Sequence, residues 1–127
     1  KQFNLTNVPH FKTAITKVRG LNQAMIINDS YNSNPDGFAA AIALAKTIPA
    51  RKKILISPGI IELGPASEAV HARLRIAAKA VFDQVLITKS EAQLLERLKR
   101  TLTKNHLLLI EGRFSASLIK ELCSNQS

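Results

Sequence analysis

The chain has 127 residues, with 18 Lys plus Arg against nine Asp plus Glu, a formal charge of +9 and 46% hydrophobic residues. That length fits one globular domain with a real core, and that composition excludes a disordered acidic tail and a collagenous segment. A single cysteine allows no internal disulfide and no Cys/His cluster accompanies it, which argues against a stapled secreted scaffold and makes the cytosol the expected compartment.

Residues 1–10 hold Asn4, Thr6, Asn7 and Pro9 without a sustained period and read as a lead-in or linker. The domain is expected over 11–127. From Phe11 to Arg19 the apolar side chains fall at intervals of two near the end, the pattern of a half-buried strand. Gly20 to Gln23 turns the chain into a short apolar strand, Ala24 to Asn28, that delivers Asp29 to an edge of the sheet. Asp36 is placed to cap a helix that starts at Gly37 and stops near Ile48, because Pro49 restricts the residue before it.

Lys53 to Ser57 is a second buried strand, ending at Pro58 and Gly59. A helix starts near Pro65 and sets Val70, Leu74, Ala77, Ala78 and Val81 on one face. Val85 to Thr88 reads as a third central strand. A helix follows from Glu91 to about Leu102, then an apolar run from Leu107 to Ile110 and a terminal helix from Ser115 to Leu122. Strand and helix alternate, so the predicted fold is α/β: a three-layer Rossmann-like sandwich with a mostly parallel sheet and flanking helices.

The basic balance favours an anionic partner, but Lys and Arg are scattered in small groups and no aromatic residue interleaves with them, which argues against nucleic acid. No apolar run reaches the ~18 residues of a membrane span, and no secretory signal is visible.

Ligands of an open parallel sheet lie outside the C-terminal ends of its strands. Three polar segments fall there: Asp29 to Asp36, Ser57 to Gly64, and Glu111 to Arg113. The first sets a carboxylate, a phenol and two amides directly after a buried strand, which suits either a small polar ligand or an Asx-rich turn and cap. Glu62 can orient an amine or hydroxyl, cap a helix or form an ion pair. His71 has no second His or Cys at helical spacing, and His10 and His106 are isolated, so no metal site is expected. Cys123 reads as a buried or frayed-end thiol. Neither Gly-x-x-x-x-Gly-Lys-Ser/Thr nor Gly-x-Gly-x-x-Gly occurs, so no phosphate cradle is legible and the chain is not a self-sufficient nucleotide enzyme.

Ile27 to Gly37, with its core Asp29-Ser30-Tyr31-Asn32-Ser33-Asn34-Pro35, resembles the signature that opens the C-terminal domain of Mur ligases. The nearest subgroup by this resemblance adds D-alanyl-D-alanine to UDP-muramoyl tripeptide. Lys53 to Gly64 is similar to the family's strand and following loop, with Gly59, Glu62, Leu63 and Gly64 in matching places, and Leu107 to Arg113 resembles its late strand and glycine turn. The likeness spans Phe11 to Leu122.

The resemblance implies a bacterial cell-wall ligase of three domains. An N-terminal domain would hold the UDP-sugar substrate, a central domain the phosphates of ATP with Mg²⁺, and this Rossmann-like domain would close over the site. The implied reaction turns a muramoyl-peptide carboxylate into an acyl phosphate that an amino acid or dipeptide attacks. By the same resemblance Asp29 positions the amine or organises the closed site, and Tyr31, Asn32 and Asn34 lie beside the nucleotide. Ser30 and Arg113 join the substrate contacts, as do Gly59, Glu62 and Gly64, which shape the second loop; Glu62 and His71, which matches a histidine in the helix after that loop, join Asp29 as the implied catalytic residues.

Two departures leave the amine open. Ser57-Pro58-Gly59-Ile60-Ile61 stands where Gly-Asp-Met usually precedes Glu-Leu-Gly, and Glu111-Gly112-Arg113 stands where Lys-Gly-Ser-Arg is usual. The isolated domain is expected to be monomeric and inactive alone. The alternative is a noncatalytic Rossmann-like nucleotide- or ligand-binding or regulatory module.

Overall fold

The computed structural model describes residues 15–31, 35–59 and 68–124. Among these, β1 (Thr16–Arg19), a 3₁₀ turn (Leu21–Gln23) and β2 (Met25–Asp29) come first, then α1 (Pro35–Thr47) and β3 (Lys52–Ser57). After them come α2 (Glu68–Val81), β4 (Gln84–Ile87), α3 (Glu91–Thr101), β5 (His106–Glu111) and α4 (Ala116–Cys123). The sheet order is β1-β2-β5-β3-β4. β1 runs antiparallel to β2, and all other pairings are parallel, as the sandwich prediction requires.

Two apolar clusters fill the layers on either side of the sheet. Ile27, Leu55, Leu107 and Leu109 pack against Phe38, Ala41, Ile42 and Ala45 of α1 and Leu74 and Ala78 of α2. Ile26, Ile54, Ile56, Leu108 and Ile110 pack against Leu94 and Leu98 of α3 and Leu118 and Leu122 of α4. Alternation along each strand sends neighbouring residues to opposite faces, so strands covered on both sides must read as continuous apolar runs.

Several expected boundaries shift. α1 begins at Pro35, whose missing amide hydrogen costs nothing in a first turn, so Asp36 lies inside that turn rather than capping it. Asp29 and Glu111 are the last residues of β2 and β5, not loop residues beyond them. β4 spans Gln84–Ile87 and is an edge strand rather than a central one, with Ile87 48% exposed, because the chain returns from β4 to insert β5 between β2 and β3. The expected starts at Phe11 and Pro65 lie outside the described residues. No described helix is long and apolar enough to cross a membrane.

The two helices on the α3/α4 face are joined through one carboxylate. Glu91 in the first turn of α3 accepts from the Ser115 amide at 2.9 Å and from its hydroxyl at 2.5 Å, while Ser115 Oγ accepts from the Leu118 amide at 3.2 Å to cap α4. Replacing Glu91 or Ser115 with Ala is expected to cost about 1 kcal/mol each. Urea unfolding of the double variant should show less than the sum of the two losses, because both changes remove the same bonds.

Candidate functional site

β2 and β5 are adjacent and parallel, yet β2 leads into α1 on one face and β5 into α4 on the other. Such a reversal opens a crevice at the C-terminal ends of the two strands, the place where doubly wound sheets bind ligands. The polar strand ends foreseen from sequence meet there. Asp29 pairs in register with Glu111, and Ser57 lies one residue beyond the Ile56–Ile110 pair.

Strand alternation sends Asp29, Ser57 and Glu111 to the α1/α2 face, two residues beyond Ile27, Leu55 and Leu109. All three are buried, with Asp29 at 0%, Ser57 at 2% and Glu111 at 4% exposure. Glu111 is held up to a pKa of about 10, first by burial, then by its side-chain hydrogen bond with Asp29 and by that residue's charge. At neutral pH the Asp29–Glu111 pair therefore holds a proton. Glu111 Oε1 is buried without a hydrogen-bond partner among the described residues. So is Nε2 of His71, in the first turn of α2, which the sequence had suggested as a hydrogen-bonding histidine.

The two loops that start at this edge are fixed locally. Ser57 Oγ accepts from the Gly59 amide at 3.3 Å, and Asn28 Oδ1 accepts from the Ser30 amide at 3.0 Å. Gly112 has φ +97°, a left-handed conformation that favours glycine. A Cβ there would also meet Pro58 Cδ at 3.0 Å and Ser57 Oγ at 3.4 Å, so the turns after β5 and β3 sit against each other.

On the α4 face of the same edge, Ser30, Tyr31, Arg113, Phe114, Ile119 and Lys120 line a cleft of about 410 Å³. Tyr31 is 75% exposed and offers a free aromatic face, while Arg113 and Lys120 supply positive charge. The structure thus separates the suggested residues at this edge, with Asp29 buried on the α1/α2 face and Ser30, Tyr31 and Arg113 lining the cleft on the α4 face. Gly59 is buried, yet a Cβ on it would meet no described atom within 4 Å. Asn32, Asn34, Glu62 and Gly64 lie outside the described residues.

Sequence reasoning gave no individual role to Ser57, Glu111, Phe114 or Lys120, although Ser57 and Glu111 open two of the polar segments it set at strand ends. The signal for Glu111 was present, since an acid closes the buried run Leu107–Ile110 as Asp29 closes the run before it. No group of three or more His, Cys, Asp or Glu able to hold a metal occurs among the described residues. Cys123 closes α4, and burial raises its thiol pKa.

A mostly parallel sheet with helices on both faces and a switch point between β2 and β5 defines a Rossmann-like α/β domain. The family profile described as "Mur ligase, glutamate ligase domain" matches residues 15–121, and the chain belongs to that family. The fold is similar to the crystal structure of MurF ligase from Thermotoga maritima in complex with ADP, with a TM-score of 0.59 and 18% identity. That likeness covers 84% of this chain and 28% of the Thermotoga chain. The search of curated proteins gave no match.

Proposed function

We propose that this domain closes over the active site of an ATP-dependent, amide-forming Mur ligase that extends a UDP-N-acetylmuramoyl-peptide by an amino acid or D-alanyl-D-alanine. One observation carries the reading: at the C-terminal edge of the sheet Asp29, Ser57 and Glu111 are buried together, and Ser30, Tyr31 and Arg113 line a cleft on the α4 face. Family membership supplies the reaction class. The substrate carboxylate takes the γ-phosphoryl group of ATP and ADP leaves. The amine nitrogen then attacks the acyl carbon, phosphate departs, and the nitrogen loses a proton as the amide forms.

Within that scheme the exposed ring of Tyr31 faces the nucleotide base or ribose, with Asn32 and Asn34 beside it, and Ser30 and Arg113 hold polar or anionic parts of the substrates. Asp29 positions the incoming amine or organises the closed site. Gly59, Glu62 and Gly64 are assigned to substrate contacts from the second loop, and Glu62 and His71, the latter in α2, to catalysis. A carboxyl pair that holds a proton does not suit Mg²⁺. ATP phosphates and Mg²⁺ belong to a central domain, which makes the isolated domain inactive and the upstream domains its partners. Thr16 pairs with Asn28, so the chain enters β1 from the edge that carries Asp29, which suits a preceding domain placed over the crevice.

The test is ATP- and Mg²⁺-dependent phosphate release by the full-length parent, given UDP-muramoyl tripeptide and a panel of amines that includes D-alanyl-D-alanine. Amine-dependent release with a ligated product is expected. Absence of turnover with every carboxylate and amine pair would favour a noncatalytic ligand-binding module. In an active parent, Asp29→Asn should lower kcat/KM by on the order of 100-fold, as expected for a lost positioning group. A parallel thermal melt separates that loss from unfolding.

A further inference from the structure

At the opposite edge of the sheet, where β2 and β5 begin, a second cleft of about 650 Å³ is lined by Arg19, Arg51, Lys104, Asn105 and His106. Its remaining wall is apolar, from Met25, Ile48, Pro49 and Ala50, and no carboxylate occurs among its described lining residues. That volume is in the range of small-molecule sites. We propose that this cleft binds a phosphorylated small molecule of mononucleotide size, its phosphate on the cationic rim and its ring against the apolar wall.

The rim is built before any ligand arrives. The Arg51 amide donates to the Asn105 carbonyl at 3.0 Å, which ties the loop before β3 to the loop before β5. Arg19 Nη1 donates to the carbonyls of Gln23 at 3.0 Å and Lys104 at 3.2 Å, so its guanidinium is held at one corner and keeps its other donors. The Thr103 amide donates to His106 Nδ1 at 3.1 Å, an arrangement that assigns the ring proton to Nε2 and makes that nitrogen a donor. Planar guanidinium groups and fixed N–H donors are the groups that recognise phosphate oxygens.

Cations at this edge have an ordinary explanation, because helix C-termini carry partial negative charge. Lys53 does that work for α1, with Nζ donating to the carbonyls of Ala45 at 2.8 Å and Lys46 at 3.4 Å. Arg51 and Lys104 do not: both are exposed, and only their backbone atoms are engaged among the described residues. Two cations with no structural task beside an apolar wall fit an anion that also carries an apolar body.

The experiment is an NMR titration of the ¹⁵N-labelled chain at 150 mM NaCl with AMP, and in separate arms with inorganic phosphate and with adenosine. Saturable shifts at Arg51, Lys104, Asn105 and His106 are expected with AMP, weaker ones with phosphate, and none with adenosine. Arg51→Ala and Lys104→Ala should each raise the Kd of AMP at these amides at least tenfold, with the rest of the spectrum unchanged. Arg113→Ala, at the other edge, should leave that Kd unaltered. Shifts that are unsaturable and spread over the basic surface, or confined to Ser30, Tyr31 and Arg113, would overturn the proposal. So would equal affinities for AMP in the two cleft variants and the parent chain.

Discussion

Glu111→Gln is expected to flatten the dependence of stability on pH and to make the domain more stable than the parent chain above neutral pH. The folded-state pKa of Glu111 is about 10, against an ordinary value of 4.5. Between those values the folded state holds a proton that the unfolded chain has released. Stability from this group is therefore complete below about pH 4.5 and falls as pH rises, by at most ~1.4 kcal/mol per unit. Gln is close to isosteric with the protonated acid, and its amide can donate to Asp29 as the carboxyl proton does. It has no proton to lose. Urea midpoints measured from pH 5 to pH 8 should thus diverge, with the parent chain losing stability and the variant holding it. Parallel curves would show that Glu111 titrates alike in both states, and that burial and Asp29 do not raise its pKa.

That pair also marks the limit of what the sequence made legible. The buried strands were visible because a strand covered on both faces must be apolar at successive positions, as in Ile26-Ile27, Ile54-Leu55-Ile56 and Leu107 to Ile110. The helices were visible through spacings such as Leu94 and Leu98, and the Mur-like blocks Ile27 to Gly37 and Lys53 to Gly64 each run through a strand end, at Asp29 and at Ser57. Strand order is not a local property. Val85 to Thr88 is as apolar as a central strand, yet β4 lies at the edge because β5, much later in the chain, inserts beside β3. For the same reason Asp29 and Glu111 were each recognised as polar strand ends, while their hydrogen bond and shared proton were not. That contact exists only once β5 lies next to β2 in the register that pairs the two acids. Arg113 and Tyr31 met in one cleft by the same non-local step.

Gly20→Ala should be the most destabilising single-methyl change in the domain core. Gly20 has a φ of −118°, outside the left-handed region, and the atoms packed around it leave no space for a side chain. A Cβ there would lie 2.2 Å from the Leu122 carbonyl oxygen, 2.8 Å from Ile26 Cγ1 and 3.1 Å from Cys123 Cα. Two of those atoms are backbone of α4, so no rotamer change relieves the clash, and the helix must move off the sheet as a unit. Overpacking of this kind costs about 3 kcal/mol, a large share of the 5–15 kcal/mol typical of a domain. The melting temperature should fall by roughly 10 °C. Because Ala116, Ile119 and Lys120 of α4 form a wall of the cleft shared with Tyr31, ligand affinity at that edge should weaken in the fraction that stays folded. Gly59→Ala is the matched control, since its Cβ meets no described atom within 4 Å, and it should leave the melting temperature within about 3 °C of the parent. Equal melting temperatures for Gly20→Ala and the parent chain would mean that α4 does not press on the turn after β1, and the expected link between that turn and the cleft would fail with it.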